Sequence, residues 1–179
     1  RHDVKHSSRA PKSVTLISPA PPYCEELRRC PGTLNRMQRL PRQALLALEA
    51  VTPHDWEVSI RDERVEIIVP EEIESPIVGI TVMTYMAPRA FALAGQLKAL
   101  GKKVVLGGYF PTLTPELALA DPSVDSIVIG RGEHAWPLLL TDFAAGQLKR
   151  SYRHPFGSHG YKLPAVNHRL TKPELGYNG

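Results

Sequence analysis

The chain is poor in the residues that several kinds of chemistry need. Cys24 and Cys30 are its only cysteines. Two thiolates cannot build a four-cysteine zinc site or hold an iron–sulfur cluster, and so sparse a pair reads as free cytosolic thiols, not a disulfide scaffold. Aromatic residues make up 7% of the sequence, so the core must be mainly aliphatic. Basic residues are not interleaved with exposed aromatics as a single-strand nucleic-acid binder requires; the net charge of +4 falls partly in the N-terminal tail (Arg1, Lys5, Arg9, Lys12). Neither a membrane-length apolar run nor a secretory signal is present, so no membrane contact and a cytoplasmic location are expected. The seven histidines are scattered, with no metal-ligand spacing, and no metal is expected. No Ser/His/Asp set and no carboxylate pair can be read. The first residue is not Met, which fits a processed chain or an excised domain.

What is present is a regular alternation of short apolar strands and helical patterns. At 179 residues, 42% hydrophobic and 22% charged, the natural count is one globular domain. Val14–Ile17 reads as a buried strand stopped by Ser18-Pro19-Ala20-Pro21-Pro22, since prolines at that density cannot continue a ladder. Pro31-Gly32 marks a turn. Pro41 suits a helix N1 position, with Ala44, Leu45, Leu48 and Val51 at helical spacing. Trp56–Ile60 alternates at period two, as an edge strand does; Ile77–Val82 is almost wholly apolar, as a central strand is. Ala90 to Leu100 gives an amphipathic helix ended by Gly101. Val104–Leu106 runs into Gly107-Gly108 and a loop, with a short helix from Pro115 to Ala120. Ser126–Ile129 is the fifth strand, and Gly130-Arg131-Gly132-Glu133 opens a helix through Trp136 and Phe143. After Lys149 no periodicity is visible.

The expected fold is therefore α/β, Rossmann-like of the flavodoxin type: a five-stranded parallel sheet, order 2-1-3-4-5, with helices on both faces. A polar arm covers residues 1–13, the domain 14–149, and an irregular extension 150–179. Ligands of such sheets bind beyond the strands' C-terminal ends, here loops 18–23, 83–89, 107–114 and 130–134.

Those loops exclude three common occupants. A phosphorylatable receiver needs acidic residues where Ser18-Pro19 and Met83-Thr84 stand. A flavin mononucleotide site needs a hydroxyl-rich loop where Pro19–Pro22 stands. A dinucleotide fingerprint belongs after the first strand; Gly130-Arg131-Gly132-Glu133-His134-Ala135 has the looser form but follows the last strand. The pattern leaves a ligand that meets backbone and small side chains. Trp136 and Tyr85 read as core or rim packing, Arg89 as a surface residue, and His134 as a solvated first-turn residue.

The ordered set Ser18-Pro19-Ala20-Pro21, Trp56-Glu57-Val58 leading to Asp62-Glu63, Val78–Thr84, Val104–Glu116 and Val128-Ile129-Gly130-Arg131-Gly132-Glu133 resembles the N-terminal cobalamin-binding domain of B12-dependent radical SAM proteins, over roughly residues 14–153. The resemblance implies a cobalamin across the sheet's C-terminal edge, its nucleotide tail beside strands one and four. By position, Thr84, Tyr85 and Met86 would lie near the corrin's lower face. Gly107, Gly108, Thr112 and Thr114 would cradle the tail, and Gly130, Gly132 and Glu133 would border it; Ser18 and Tyr109 complete the implied cofactor-binding set. A side chain at Gly108 is expected to obstruct the tail with the fold intact. The lower-ligand motif Asp-x-His-x-x-Gly is absent, which implies base-off cobalamin with no protein histidine on cobalt. The family often has His at Phe110 and Glu at Arg131. The catalytic Cys-x-x-x-Cys-x-x-Cys motif is also absent, so no iron–sulfur cluster and no independent catalysis are expected of this chain. It reads as a module, standalone or excised, that serves methyl transfer by a separate radical SAM unit. The alternatives are a degenerate Rossmann-like scaffold for a protein partner, and a nucleotide-binding protein using the 130–135 turn.

Overall fold

The computed structural model describes residues 12–22 and 43–154. Cys24, Cys30, the Pro31-Gly32 turn, Pro41 and most of both terminal segments lie outside the described residues. Successive apolar strands cross over through helices. They are β1 (Lys12–Ser18), α1 (Gln43–Val51), β2 (Trp56–Asp62), β3 (Ile77–Thr81), α2 (Ala87–Ala99), β4 (Lys103–Gly107), α3 (Tyr109–Leu113), α4 (Pro115–Ala120), β5 (Ser126–Ile129), α5 (Gly132–Ala144) and β6 (Ser151–Arg153), with 3-10 turns at Pro70–Glu72 and Thr84–Met86. The strands form one parallel sheet in the order β2-β1-β3-β4-β5-β6. Leu16 pairs with Gly79, Gly79 with Val105, and Leu106 with Ile127.

Alternation along each strand sends neighbouring side chains to opposite faces, and both faces are covered. Ile17, Val78, Ile80, Val104 and Leu106 pack with Leu93 and Leu97 of α2 in one core. Val14, Leu16, Ile77 and Val105 pack with Leu45 of α1 and Trp136, Leu139 and Leu140 of α5 in the other. Full burial of each such side chain stabilises the fold by about 1.5–3 kcal/mol.

The sheet has six strands among the described residues, not five. The sixth, Ser151–Arg153, falls in the stretch read as irregular and pairs Val128 with Tyr152. Three residues are too few to show a period. Tyr152 is held from outside the strand: its hydroxyl donates to Asp142 Oδ2 at 2.9 Å and accepts from the Lys149 N–H at 3.0 Å. β1 also starts at Lys12, within the stretch read as a polar arm. Residues 109–113, read as loop, are helical. Pro111 does not prevent this, because N–H groups of a first helical turn have no intrahelical partner.

Asp125 ties the N-terminal ends of β4 and β5 together. It accepts from Lys98 Nζ at 2.5 Å, Lys103 Nζ at 2.9 Å and the Val104 N–H at 3.0 Å. Burial alone pushes its carboxyl up; the bonds from Lys98, Val104 and Lys103 outweigh this and hold it below the usual carboxylate value. A depressed folded-state value means the stabilisation is present above the unfolded value and is lost as pH falls through the folded one. Asp125→Asn is expected to cost about 1 kcal/mol at pH 7 and to flatten the acid limb of the stability curve. Urea melts from pH 7 to pH 3 check this; an acid limb identical to wild type would refute it.

Candidate functional site

The parallel strands all end at one edge, and the cleft opens there. It is a cavity of about 180 Å³ between the ends of β3, β4 and β5, helix α1, and the start of α5. Its floor is Gly79, Thr81, Val105, Gly107 and Val128; Ala44, Leu45 and Leu48 of α1 form one wall, and Trp136 closes the far side. Gly130, Arg131, Gly132 and Glu133 line it from the β5–α5 turn. Arg131 is exposed, whereas Leu45 and Trp136 are buried. The mouth is therefore charged and the interior aliphatic.

Missing side chains make this space. A Cβ on Gly79 would stand 3.0 Å from Leu16 Cδ2 and 3.1 Å from Trp136 Cη2, so Gly79 is what admits the indole. The Trp136 Nε1–H donates to Thr52 Oγ1 at 2.9 Å, which leaves the ring's carbon edge toward the floor. A Cβ on Gly132 would stand 2.9 Å from Leu48 Cδ2, so glycine there lets α5 approach α1 without displacing the Leu48 side chain.

The paired glycines have different roles. Gly107 has open space: among the described residues a Cβ would meet only Val128 Cβ, at 3.9 Å. Gly108 has φ +98°, and a Cβ would meet the Val82 carbonyl oxygen at 2.9 Å and its nitrogen at 3.0 Å. The turn is closed by the Val82 N–H to the Gly107 carbonyl at 2.8 Å and the Phe110 N–H to the Val82 carbonyl at 3.0 Å. Gly108 is thus required by the backbone itself, and the expectation that it can carry a side chain with the fold intact is corrected.

Thr112 Oγ1 donates to the Gly108 carbonyl at 2.7 Å and accepts from the Gly130 N–H at 2.9 Å, which locks the β4 and β5 turns together. Thr114 Oγ1 donates to the Phe110 carbonyl at 2.8 Å. Phe110 is buried and meets Phe91 edge-on at 5.8 Å, so it is a core residue. Thr84, Tyr85 and Tyr109 are exposed at the strand-end edge. Met86 is 1% exposed and packs in the α2 core; as a side chain it does not face this edge. Glu133 is half-buried in the first turn of α5, where the helix dipole favours a carboxylate. His134 is not simply solvated: its ring stacks on His154 at 3.8 Å.

Ser18 is fully buried, and its Oγ has no hydrogen-bond partner among the described residues. Alternation puts it on the face of Val14 and Leu16, one step beyond the Ile17–Ile80 pair and so beside Thr81. A buried hydroxyl without a partner is uncommon.

Sequence reading missed the α1 wall, Gly79 and a clamp beside the cleft. The cleft lies along β3, β4 and β5, whereas the tail was expected beside strands one and four. Glu63, buried at the end of β2, accepts from the Ala20 N–H at 2.8 Å and from Arg89 Nε at 3.0 Å. It therefore pins the Pro19–Ala20 loop to the start of α2, and Arg89 is a partner in that clamp as well as a surface group. An acidic pair ending one strand and an Arg beginning the next helix were the available signals.

Among the described residues no group of three or more His, Cys, Asp or Glu comes together to hold a metal ion. No described helix is long and apolar enough to cross a membrane.

Residues 36–140 match the family model of the B12 binding domain. The chain is 36% identical over 109 residues to bacteriochlorophyllide d C-8(2)-methyltransferase of Chlorobaculum tepidum, covering 61% of this chain and 24% of that protein. It is 31% identical over 111 residues to bacteriochlorophyllide d C-12(1)-methyltransferase of the same organism, with the same coverage. The chain thus spans about a quarter of the length of these curated relatives. Among solved structures, the radical S-adenosylmethionine methyltransferase TsrM from Kitasatospora setae, with tryptophan and a SAM analogue bound, superposes with a TM-score of 0.53 at 18% identity, over 76% of this chain and 26% of that one. At that identity the likeness is one of fold.

Proposed function

The chain belongs to the B12-binding domain family, and from that premise we propose that it holds cobalamin base-off, with the nucleotide tail in the strand-end cleft, for methyl transfer by a radical SAM catalytic unit. The observation that carries the reading is the glycine-floored cavity at the C-terminal edge, where a Cβ on Gly107 would project with only one neighbour in reach among the described residues.

The residues fit the group. A planar tail base needs apolar walls, which Leu45, Leu48, Val105, Val128 and Trp136 supply. The Ser18 hydroxyl, which has no partner among the described residues, lies on the same face of the sheet as the cleft. Gly130, Gly132 and Glu133 border the opening, and exposed Arg131 can pair with a phosphate. Thr84, Tyr85 and Tyr109 stand at the edge that a wide macrocycle would cover. Met86 contributes packing, while Thr112 and Thr114 hold the turns through the bonds described above. Bound cobalamin supplies cobalt as a methyl carrier. The protein's part is to exclude water from the tail, orient the ring and leave its outer face open to a catalytic unit. That unit would lie in the same longer polypeptide or on another chain; the relatives named as methyltransferases are about four times longer than the matched stretch.

Titration of hydroxocobalamin into the purified chain is expected to give a base-off absorption spectrum and a corrinoid that co-elutes on gel filtration. No spectral change and no retained corrinoid would sink the proposal. A spectrum with histidine on cobalt would remove the claim that no protein ligand binds there.

A further inference from the structure

Among the described residues the interior of the cleft offers few hydrogen-bonding groups, and this bears on which lower base it accepts. Three of the nearby polar groups are already engaged. The Gly107 carbonyl takes the Val82 N–H at 2.8 Å, the Gly130 N–H goes to Thr112 Oγ1 at 2.9 Å, and Trp136 Nε1 goes to Thr52 Oγ1 at 2.9 Å. Among the described residues, the polar side chains lining the cavity are Thr81, Arg131 and Glu133, and the last two belong to the β5–α5 turn at the mouth. Behind them are aliphatic side chains and the carbon edge of Trp136.

Resting on the reading of this cleft as the tail site, we infer that it selects corrinoids whose lower base has a hydrocarbon edge, such as a benzimidazole, over those with a purine. A benzimidazole released from cobalt has a single ring nitrogen to satisfy, and one hydroxyl is enough for that; Thr81, or Ser18 beside it, supplies one. Its benzo edge needs contact only, which the Leu45–Leu48 wall and Trp136 give. A purine of similar shape brings further ring nitrogens and an exocyclic amine. In this interior those groups lose their water, and among the described residues they outnumber the hydroxyls of Thr81 and Ser18. A buried polar group left unpaired is penalised far more than a missing methyl group, so rejection of the purine comes from its own unpaired groups and not from its size. The charges at Arg131 and Glu133 cannot relieve this from the mouth, where ribose and phosphate would pass.

The test compares three ligands on the intact chain by absorption titration: cobalamin, its adenine-based analogue, and cobinamide, which has no lower base. Cobalamin is expected to bind tightest, with the adenine analogue weaker by about tenfold or more. Equal affinity for cobalamin and the adenine analogue, both above cobinamide, would overturn the selectivity and leave the cobalamin reading standing. Cobinamide binding as tightly as cobalamin would overturn it too, because the tail would then not be held. Failure of all three to bind would remove the functional reading itself.

Discussion

Gly108→Val is expected to destabilise the protein by about 3 kcal/mol or more, and Gly107→Val to leave stability within about 1 kcal/mol of wild type while weakening cobalamin binding. Adjacent glycines thus give opposite results. At Gly108 the backbone has φ +98°, which an L side chain rarely adopts, and its Cβ would press on the Val82 backbone, not on a flexible side chain. At Gly107 the chain is still β-strand and the Cβ would project into the cleft with Val128 as its only neighbour within 4 Å among the described residues. A valine there occupies room the tail needs, so affinity should fall about tenfold or more. Melting curves and corrinoid titration of both variants check this. A folded Gly107→Val chain with unchanged affinity would show that the cleft is not the tail site. A Gly108→Val chain of normal stability would show that the turn can relax in a way the geometry does not suggest.

Trp136→Ala should have the largest effect of any single truncation, about 3–5 kcal/mol. Among the described residues its side chain is the bulkiest of those fully buried, it fills the space that Gly79 leaves, and its Nε1 bond to Thr52 anchors α5 to the end of α1. Partial relaxation cannot fill the gap, because Leu16 already lies against Gly79 from the neighbouring strand. Trp136→Phe keeps most of the ring volume and loses the hydrogen bond, so its cost should be nearer 1–2 kcal/mol. Urea denaturation of the two variants separates volume from hydrogen bonding. A loss under about 1 kcal/mol for Trp136→Ala would mean that the indole is not the keystone of this layer.

The parallel α/β architecture was legible in the sequence because its signals are local. Period-two alternation in Trp56–Ile60 marked an edge strand, and the apolar run Ile77–Val82 marked a central one; β2 is an edge and β3 lies between β1 and β4. Gly101, with φ +77°, ends α2 where the helical period stops. The glycine turns after β4 and β5 were also visible, since a glycine pair or Gly-x-Gly at a strand end needs only neighbouring residues to be read. β6 was not visible, because three residues held in place by Asp142 and by pairing with β5 carry no period of their own. The cleft was decided by tertiary packing. Its wall comes from α1 and its floor from β3 to β5, elements brought together where Gly79 leaves room for Trp136 and Gly132 for Leu48. The same holds for the clamp of Ala20, Glu63 and Arg89, whose members lie 43 and 26 residues apart. Sequence determined which strands exist and where their open ends lie, because those properties depend on neighbours along the chain. Only the tertiary structure decided which side chains face one another across the gap, because close approach of two distant backbones depends on the volume each leaves empty.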